Sequence, residues 1–247
     1  MYSPPGYVWV AALVGPIAFI ILSCLVLYGG AIRAGLRRST ATLTAAGAAT
    51  ALGGWLAISA VFADHGWYET TAAFPLLPVA SVGALAVLLA LTRTPAVTRT
   101  LAGPGMTSRL ILPQTVRVTG VAPLLYLALG HLPALFALPA ALGDIASGTA
   151  AAFVTRRLAT GAGSSRSGLW FNAFGITDLV VSVTTGTLTS YQLIHVTPAT
   201  DLGQLPIALV PTGVVPMLLA LHIISIGSLR TTAKRPLPAI NPAGATI

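Results

Sequence analysis

The chain alternates long apolar runs with short polar ones, and the runs have the length of membrane-spanning helices. A spanning helix needs about 20 mostly apolar residues. Seven stretches reach that length: 8–30, 42–63, 73–92, 115–133, 135–155, 168–189 and 206–229. Only Gly130-His131-Leu132-Pro133 separates the fourth from the fifth, and the spacing predicts a tight hairpin there. One unbroken helix of about 40 residues would be long enough to cross a bilayer twice. Pro75 and Pro78 start the third run, Pro133 and Pro139 bracket the start of the fifth, and Pro206 opens the seventh. Proline is tolerated in a first turn, where its missing N–H has no helical partner. The pattern therefore predicts an all-α, polytopic transmembrane bundle of seven helices, a single domain over residues 1–230. The longest stretch between runs, 93–114, is rich in Thr, Gly and Pro and is expected to be an irregular linker. Residues 231–247 carry three prolines and two basic residues and are expected to form a disordered cytoplasmic tail.

The polar stretches give an orientation. Arg33, Arg37 and Arg38 follow the first run; Arg93, Arg99 and Arg109 follow the third, with Arg117 just inside the fourth. Arg156, Arg157 and Arg166 follow the fifth, and Arg230, Lys234 and Arg235 follow the seventh. The alternate loops carry Asp64, His65 and Glu69, or His195 and Asp201, with no Lys or Arg. Basic loops stay on the cytoplasmic side, which puts the amino terminus outside and the carboxyl terminus inside.

Composition sharpens this reading. Of 247 residues, 55% are hydrophobic and 7% charged, whereas soluble domains carry about a quarter charged residues. The net charge of +8 does not point to nucleic acid. A nucleic-acid binder needs a basic face with polar and aromatic contacts, and here the arginines come a few at a time between apolar runs. Cys24, the single cysteine, lies inside the first run and has no second thiol for a disulfide or a metal site. Ile21-Leu22-Ser23-Cys24 is similar to a lipoprotein cleavage box. No basic region precedes it and the apolar run continues past it, so no removable leader is expected.

Candidate chemistry comes from ionisable residues where lipid disfavours them. Asp144 falls near the middle of the fifth run, Asp178 near the middle of the sixth, and His222 in the inner half of the seventh. Asn172 and Arg117 lie deeper toward the cytoplasm. A charge at the bilayer centre costs about 2.5–3.5 kcal/mol on insertion scales, so such residues face a bundle interior and find partners. Gly175, Ser182, Thr185 and Thr189 share a face with Asp178, and Ala140, Gly148 and Ala152 form a small-residue row with Asp144, Ser147 beside it. Small faces let helices approach closely, so the fifth and sixth helices are expected to pack with both carboxylates inward. Paired carboxylates resist double ionisation and share a proton. Pro211 and Pro216 each remove a helical hydrogen bond and free a carbonyl four residues back, at Ile207 and Thr212. Broken helices beside intramembrane acids are how many transporters build a site.

Several functional readings follow. The first is a proton- or ion-coupled carrier of a small molecule, with Asp144, Asp178, His222, Asn172 and Arg117 along its pathway and no cofactor. The second is an intramembrane metal-dependent enzyme with His222, Asp144 and Asp178 as ligands, although the chain has no HxxxH or HExxH pattern. The third is a non-catalytic assembly subunit. A purely structural role for the two acids competes with all of these. Arg117 is expected to snorkel to the inner surface, and His131, His65 and His195 to be solvated at the outer boundary. A retinal protein needs a lysine in its seventh helix, and the only lysine, Lys234, lies beyond it. Pro113-Gln114 resembles the dipeptide of PQ-loop and SWEET-type carriers, but it occurs once here, at the linker helix, immediately before the fourth run. Gly130-His131-Leu132-Pro133-Ala134-Leu135-Phe136-Ala137-Leu138-Pro139 with Gly143-Asp144, Trp170-Phe171-Asn172 with Gly175 and Asp178-Leu179, and Pro216 with Leu221-His222 resemble segments of a family of uncharacterised bacterial polytopic membrane proteins. That resemblance implies a multi-pass protein of the bacterial inner (plasma) membrane and no particular activity.

Overall fold

The computed structural model describes residues 3–69 and 74–233, and among these the chain is helical with no strand. The tail carrying Lys234 and Arg235, and the predicted start of the third helix at 73, lie outside the described residues. The α-helices in chain order are α1 (Gly6–Arg33), α2 (Arg38–Asp64), α3 (Leu76–Leu91), α4 (Pro95–Leu101), α5 (Met106–Ile111), α6 (Ala122–Ala128), α7 (Ala134–Ala159), α8 (Ser165–Ser190) and α9 (Val215–Ala233).

Five segments are long and apolar enough to cross a membrane: Gly6–Arg33, Arg38–Asp64, Met106–Ala128, Ala134–Ala159 and Val210–Arg230. The count becomes six if α3 and α4, bent by 82° at a short break, are taken as one span. At 26 residues α8 is long enough, but it is not among the five; Ser, Thr, Asn and Asp interrupt its apolar sequence. The chain thus has the build of an integral, multi-pass membrane protein, with five or six candidate spans rather than the seven expected.

Two expected helices are broken. The run at 115–133 is not one helix: α5 leads into a 3₁₀ segment, Leu112–Thr119, and then into α6. Pro113 lies in the first turn of that segment, and Gly120 and Pro123 follow it. Thr115 and Thr119 donate their hydroxyls to the carbonyls of Leu112 and Val116, three residues back, at 2.8 and 2.7 Å. Bonds of that span favour the tighter winding, and so long a 3₁₀ run is uncommon. The stretch 93–114 is likewise not irregular, since α4 and α5 occupy most of it; Pro95 opens α4, and Gly105, at φ +68°, precedes α5.

The last run departs from a continuous helix as well. It begins not at Pro206 but with a π-turn, Val210–Val214, that leads into α9. Pro216 leaves the Thr212 carbonyl without its helical donor, and Trp55 Nε1 on α2 supplies one at 2.8 Å. The Ile207 carbonyl is not free, because Val210 N–H takes it at 3.0 Å. Ser81 on α3 donates to the Pro211 carbonyl at 2.7 Å, and Ser59 on α2 bonds the Thr212 hydroxyl at 2.5 Å. Irregular backbone inside a membrane protein persists where neighbouring side chains satisfy it in this way.

Packing fixes the register of the inner helices. Phe136 lies against Gly186, Asp178 against Gly143 and Leu158 near Gly168, so α7 and α8 run antiparallel. Gly175 meets His222 and Gly168 meets Leu229, so α8 and α9 do the same. The α5–3₁₀ segment closes the ring, with Thr107 bonded to Ser228 and Gln114 to the Leu218 carbonyl. Helix α1 packs outside on α2, α4 and the 3₁₀ segment. These directions gather Arg33, Arg99, Arg109, Arg157, Arg166 and Arg230 at one end of the bundle. Asp64, His131 and Asp201 lie at the other.

Trp55→Phe removes the donor to a buried carbonyl and should cost about 1–3 kcal/mol. Trp170→Phe, on an exposed face, should change stability by less than about 0.5 kcal/mol. Equal unfolding midpoints for the two variants in detergent would contradict the clamp on the π-turn.

Candidate functional site

Arg117 sits near the end of the 3₁₀ segment and is 3% exposed. It does not snorkel. Its guanidinium points into the ring formed by the 3₁₀ segment, α7, α8 and α9. Nε donates to Asp144 Oδ1 at 2.8 Å, and Nη2 lies 2.7 Å from the same oxygen. Nη2 also pairs with Asp178 Oδ2. The two carboxylates are therefore joined through an arginine rather than directly to each other. Their side chains are 22% and 7% exposed, Asp144 the more open of the two.

The third guanidinium nitrogen, Nη1, faces His222 Nε2 at 3.5 Å. Guanidinium has only donors, so Nε2 presents its lone pair and Nδ1 carries the proton. Nδ1 donates to Asn172 Oδ1 at 2.8 Å. The amide nitrogen of Asn172 then donates to the Gly168 carbonyl at 2.7 Å and to Ser225 Oγ at 3.0 Å. Every hydrogen bond in this chain follows from the one before it. The bonds assign both the histidine tautomer and the amide orientation without reference to hydrogen positions.

Glycines create the space. A Cβ at Gly143 would overlap the Asp178 carboxyl, and one at Gly175 would overlap the His222 ring. At Gly148 it would strike the backbone of Arg117 and Val118, and at Gly120 it would crowd Asp144. Of the small-residue rows read from the sequence, Gly148 and Gly175 abut the cluster, whereas Thr185 and Thr189 bond carbonyls of their own helix and Ala152 is exposed. Beside the ion pairs, Ser147 Oγ and Gln114 Oε1 are buried without a hydrogen-bond partner.

A cavity of about 90 Å³ extends from Asp144 to Leu77, Ser190 and Tyr191, toward the end of the bundle away from the arginines. Phe136, Ala140, Ser182, Gly186, Val214 and Leu218 are among its walls, which are mostly apolar. At the same end His131 Nδ1 meets Asp201 Oδ2 at 2.8 Å, with the Tyr126 ring edge-on to the imidazole. His131 is thus paired and not merely solvated. Sequence reasoning also missed Ser225, which no periodicity distinguishes from a packing serine. Among the described residues, no group of three or more His, Cys, Asp or Glu converges on a point where a metal could bind.

All five residues selected from the sequence, Arg117, Asp144, Asn172, Asp178 and His222, meet at one place, and together with the spans they define a helical multi-pass membrane protein with a buried arginine–carboxylate cluster. The chain belongs to the family described as a domain of unknown function, DUF8737, whose model matches residues 73–230 and so includes every member of the cluster. Comparison with curated proteins and with solved structures gives no match.

Replacing Arg117 with Met leaves two buried carboxylates without their cation, and removing one partner of such a pair costs about 3–5 kcal/mol. Restoring charge balance with Asp144→Asn and Asp178→Leu in the same chain should recover much of that loss. If Arg117→Met alone unfolds at the parent's temperature, the guanidinium does not hold the bundle together.

Proposed function

We propose that this protein is a small carrier that couples movement of a solute to protonation of Asp144 and Asp178, with Arg117 as the counter-charge that exchanges between them. The observation that carries the reading is one enclosed guanidinium shared by carboxylates from two helices, at the end of a cavity. With both acids ionised and His222 neutral, Arg117 leaves the cluster one negative charge in excess. One proton, or one cationic group of a solute, brings it to neutrality, the state a low-dielectric interior favours. Protonating either acid weakens its hold on Arg117 and leaves the guanidinium to the other. Because the acids stand on α7 and α8, that exchange biases the packing of the two helices. Two discrete arrangements of one buried element are the minimum an alternating carrier requires.

Features beyond the cluster support the same reading. Arg117 is borne on a 3₁₀ segment, and Val210, Pro211 and Val214 of the π-turn line the cavity; irregular helices of both kinds recur at functional sites. Transporter sites are characteristically built where spanning helices are interrupted. In this reading α3 and α8 cross the membrane with the five apolar segments, for seven crossings. The arginine end faces the cytoplasm of a bacterial inner membrane, the amino terminus is outside, and the cavity opens outward. The metal-enzyme reading is weaker, because Arg117 stands between the carboxylates where a cation would have to bind.

A cysteine placed at Ser182, on the cavity wall, tests this without knowledge of the solute. In a Cys24→Ala background its labelling rate, divided by that of a free thiol at the same pH, should change several-fold as the cluster gains a proton. Asp144→Asn and Asp178→Asn should each flatten that profile while leaving the protein folded. Profiles for both variants that superimpose on the parent's would remove the proton-coupled mechanism.

A further inference from the structure

Toward the arginine end, α2 and α3 stand apart, and a cleft of about 550 Å³ lies between them. That volume falls within the range of about 300–1,000 Å³ typical of small-molecule sites. It is separate from the cavity at Asp144 and has a different character along its length. Its deep end is formed by apolar side chains from four helices, Phe19, Leu52, Leu88 and Met217. Its polar groups, Ser23 apart, are the threonines Thr40, Thr44, Thr92 and Thr94 at the mouth.

Arginines flank these threonines in sequence, just outside the lining of the cleft. Arg38 lies two residues from Thr40, and Arg93 stands between Thr92 and Thr94. Both arginines are exposed, and neither forms an ion pair among the described residues. Arg37 and Arg99 are also exposed, and they stand three residues before Thr40 and two after Val97. A ligand complementary to this shape has a long apolar body and an anionic head. In a bilayer that description fits an anionic phospholipid, with an acyl chain entering between α2 and α3 and its phosphate held by Arg38 and Arg93. Guanidinium favours phosphate through paired, parallel hydrogen bonds, and basic residues beside spanning helices attract anionic headgroups.

We infer that the cleft between α2 and α3 is a binding site for an anionic phospholipid, read by Arg38 and Arg93 at its mouth and by apolar depth behind them. The inference is independent of the proposed proton chemistry, since no residue of the Arg117 cluster lines the cleft.

Gly47 provides a direct test. It lines the cleft, and a Cβ added there meets nothing within 4 Å, so Gly47→Leu fills the space without disturbing the fold. The purified full chain would be titrated with phosphatidylglycerol and phosphatidylcholine of matched acyl chains, with binding read by native mass spectrometry. On the parent, phosphatidylglycerol should bind at least tenfold tighter. Arg38→Gln with Arg93→Gln should bring it to the phosphatidylcholine level. The control pair Arg156→Gln with Arg166→Gln, at the same end but away from the cleft, should retain the preference. Gly47→Leu should weaken binding of both lipids several-fold. Equal binding of the two lipids by the parent overturns the inference, as does an equal loss in the control pair. Unchanged binding in Gly47→Leu also overturns it, and that arm remains decisive if the arginine variants fail to fold.

Discussion

A guanidinium has five N–H donors and a charge that proteins do not remove. Enclosing one among apolar helices is tolerable only if anions and acceptors surround it, and this requirement organises the core of the molecule. Arg117 takes both oxygen partners on one side from α7 and α8, and its remaining nitrogen faces an imidazole on α9. Three helices must therefore converge within the reach of one side chain. Helices approach that closely only where side chains are small, and Gly143, Gly148 and Gly175 stand at the points of contact. Charge pairing dictates the glycines, and the glycines permit the antiparallel packing.

The same demand explains why backbone regularity is lost where it is. A continuous helix would project successive side chains at 100° intervals; the tighter 3₁₀ winding of Leu112–Thr119 stacks positions three apart and re-aims Arg117. The cost of unusual backbone is limited by what surrounds it. Threonine hydroxyls bond within the 3₁₀ segment, while Trp55, Ser59 and Ser81 reach from α2 and α3 to the π-turn. Buried backbone groups need partners somewhere, and here the outer helices supply them. That gives α2 and α3 a role beyond shielding the core from lipid.

Much of this was legible before any coordinates. Long apolar runs identify the helices because lipid permits little else, and Asp144, Asp178, His222 and Asn172 stand out because an apolar run exposes its exceptions. Arg117 was misplaced for a definite reason. If the fourth helix began at 115, Arg117 would lie in its first turn, within reach of water. The span begins instead at Met106, which carries Arg117 about 20 Å along it at 1.5 Å per α-helical and 2.0 Å per 3₁₀ residue. Pro113, Gly120 and Pro123 were visible signs of the break, but a hydropathy window averages over them. The pairing of His131 with Asp201 had no such sign. The two residues are 70 apart in sequence, and periodicity within one run says nothing about which loops meet.

The asymmetry between the two acids gives the cluster a direction. Asp144 lines the cavity and is the more exposed, whereas Asp178 is enclosed and faces Gly143 across the helix interface. In the proposed carrier a proton entering through the cavity meets Asp144 first, and Asp178 gains one only by exchange through the cluster or after the helices move. His222 is placed behind Arg117, its proton committed to Asn172 and its lone pair turned toward the guanidinium. A neutral imidazole in that position accepts from Arg117 without competing with the carboxylates for its charge. It can therefore steady the guanidinium whichever acid holds it. Relocating one buried charge between two fixed anions requires a third group that is indifferent to the choice, and among the described partners of Arg117 only His222 has that chemistry.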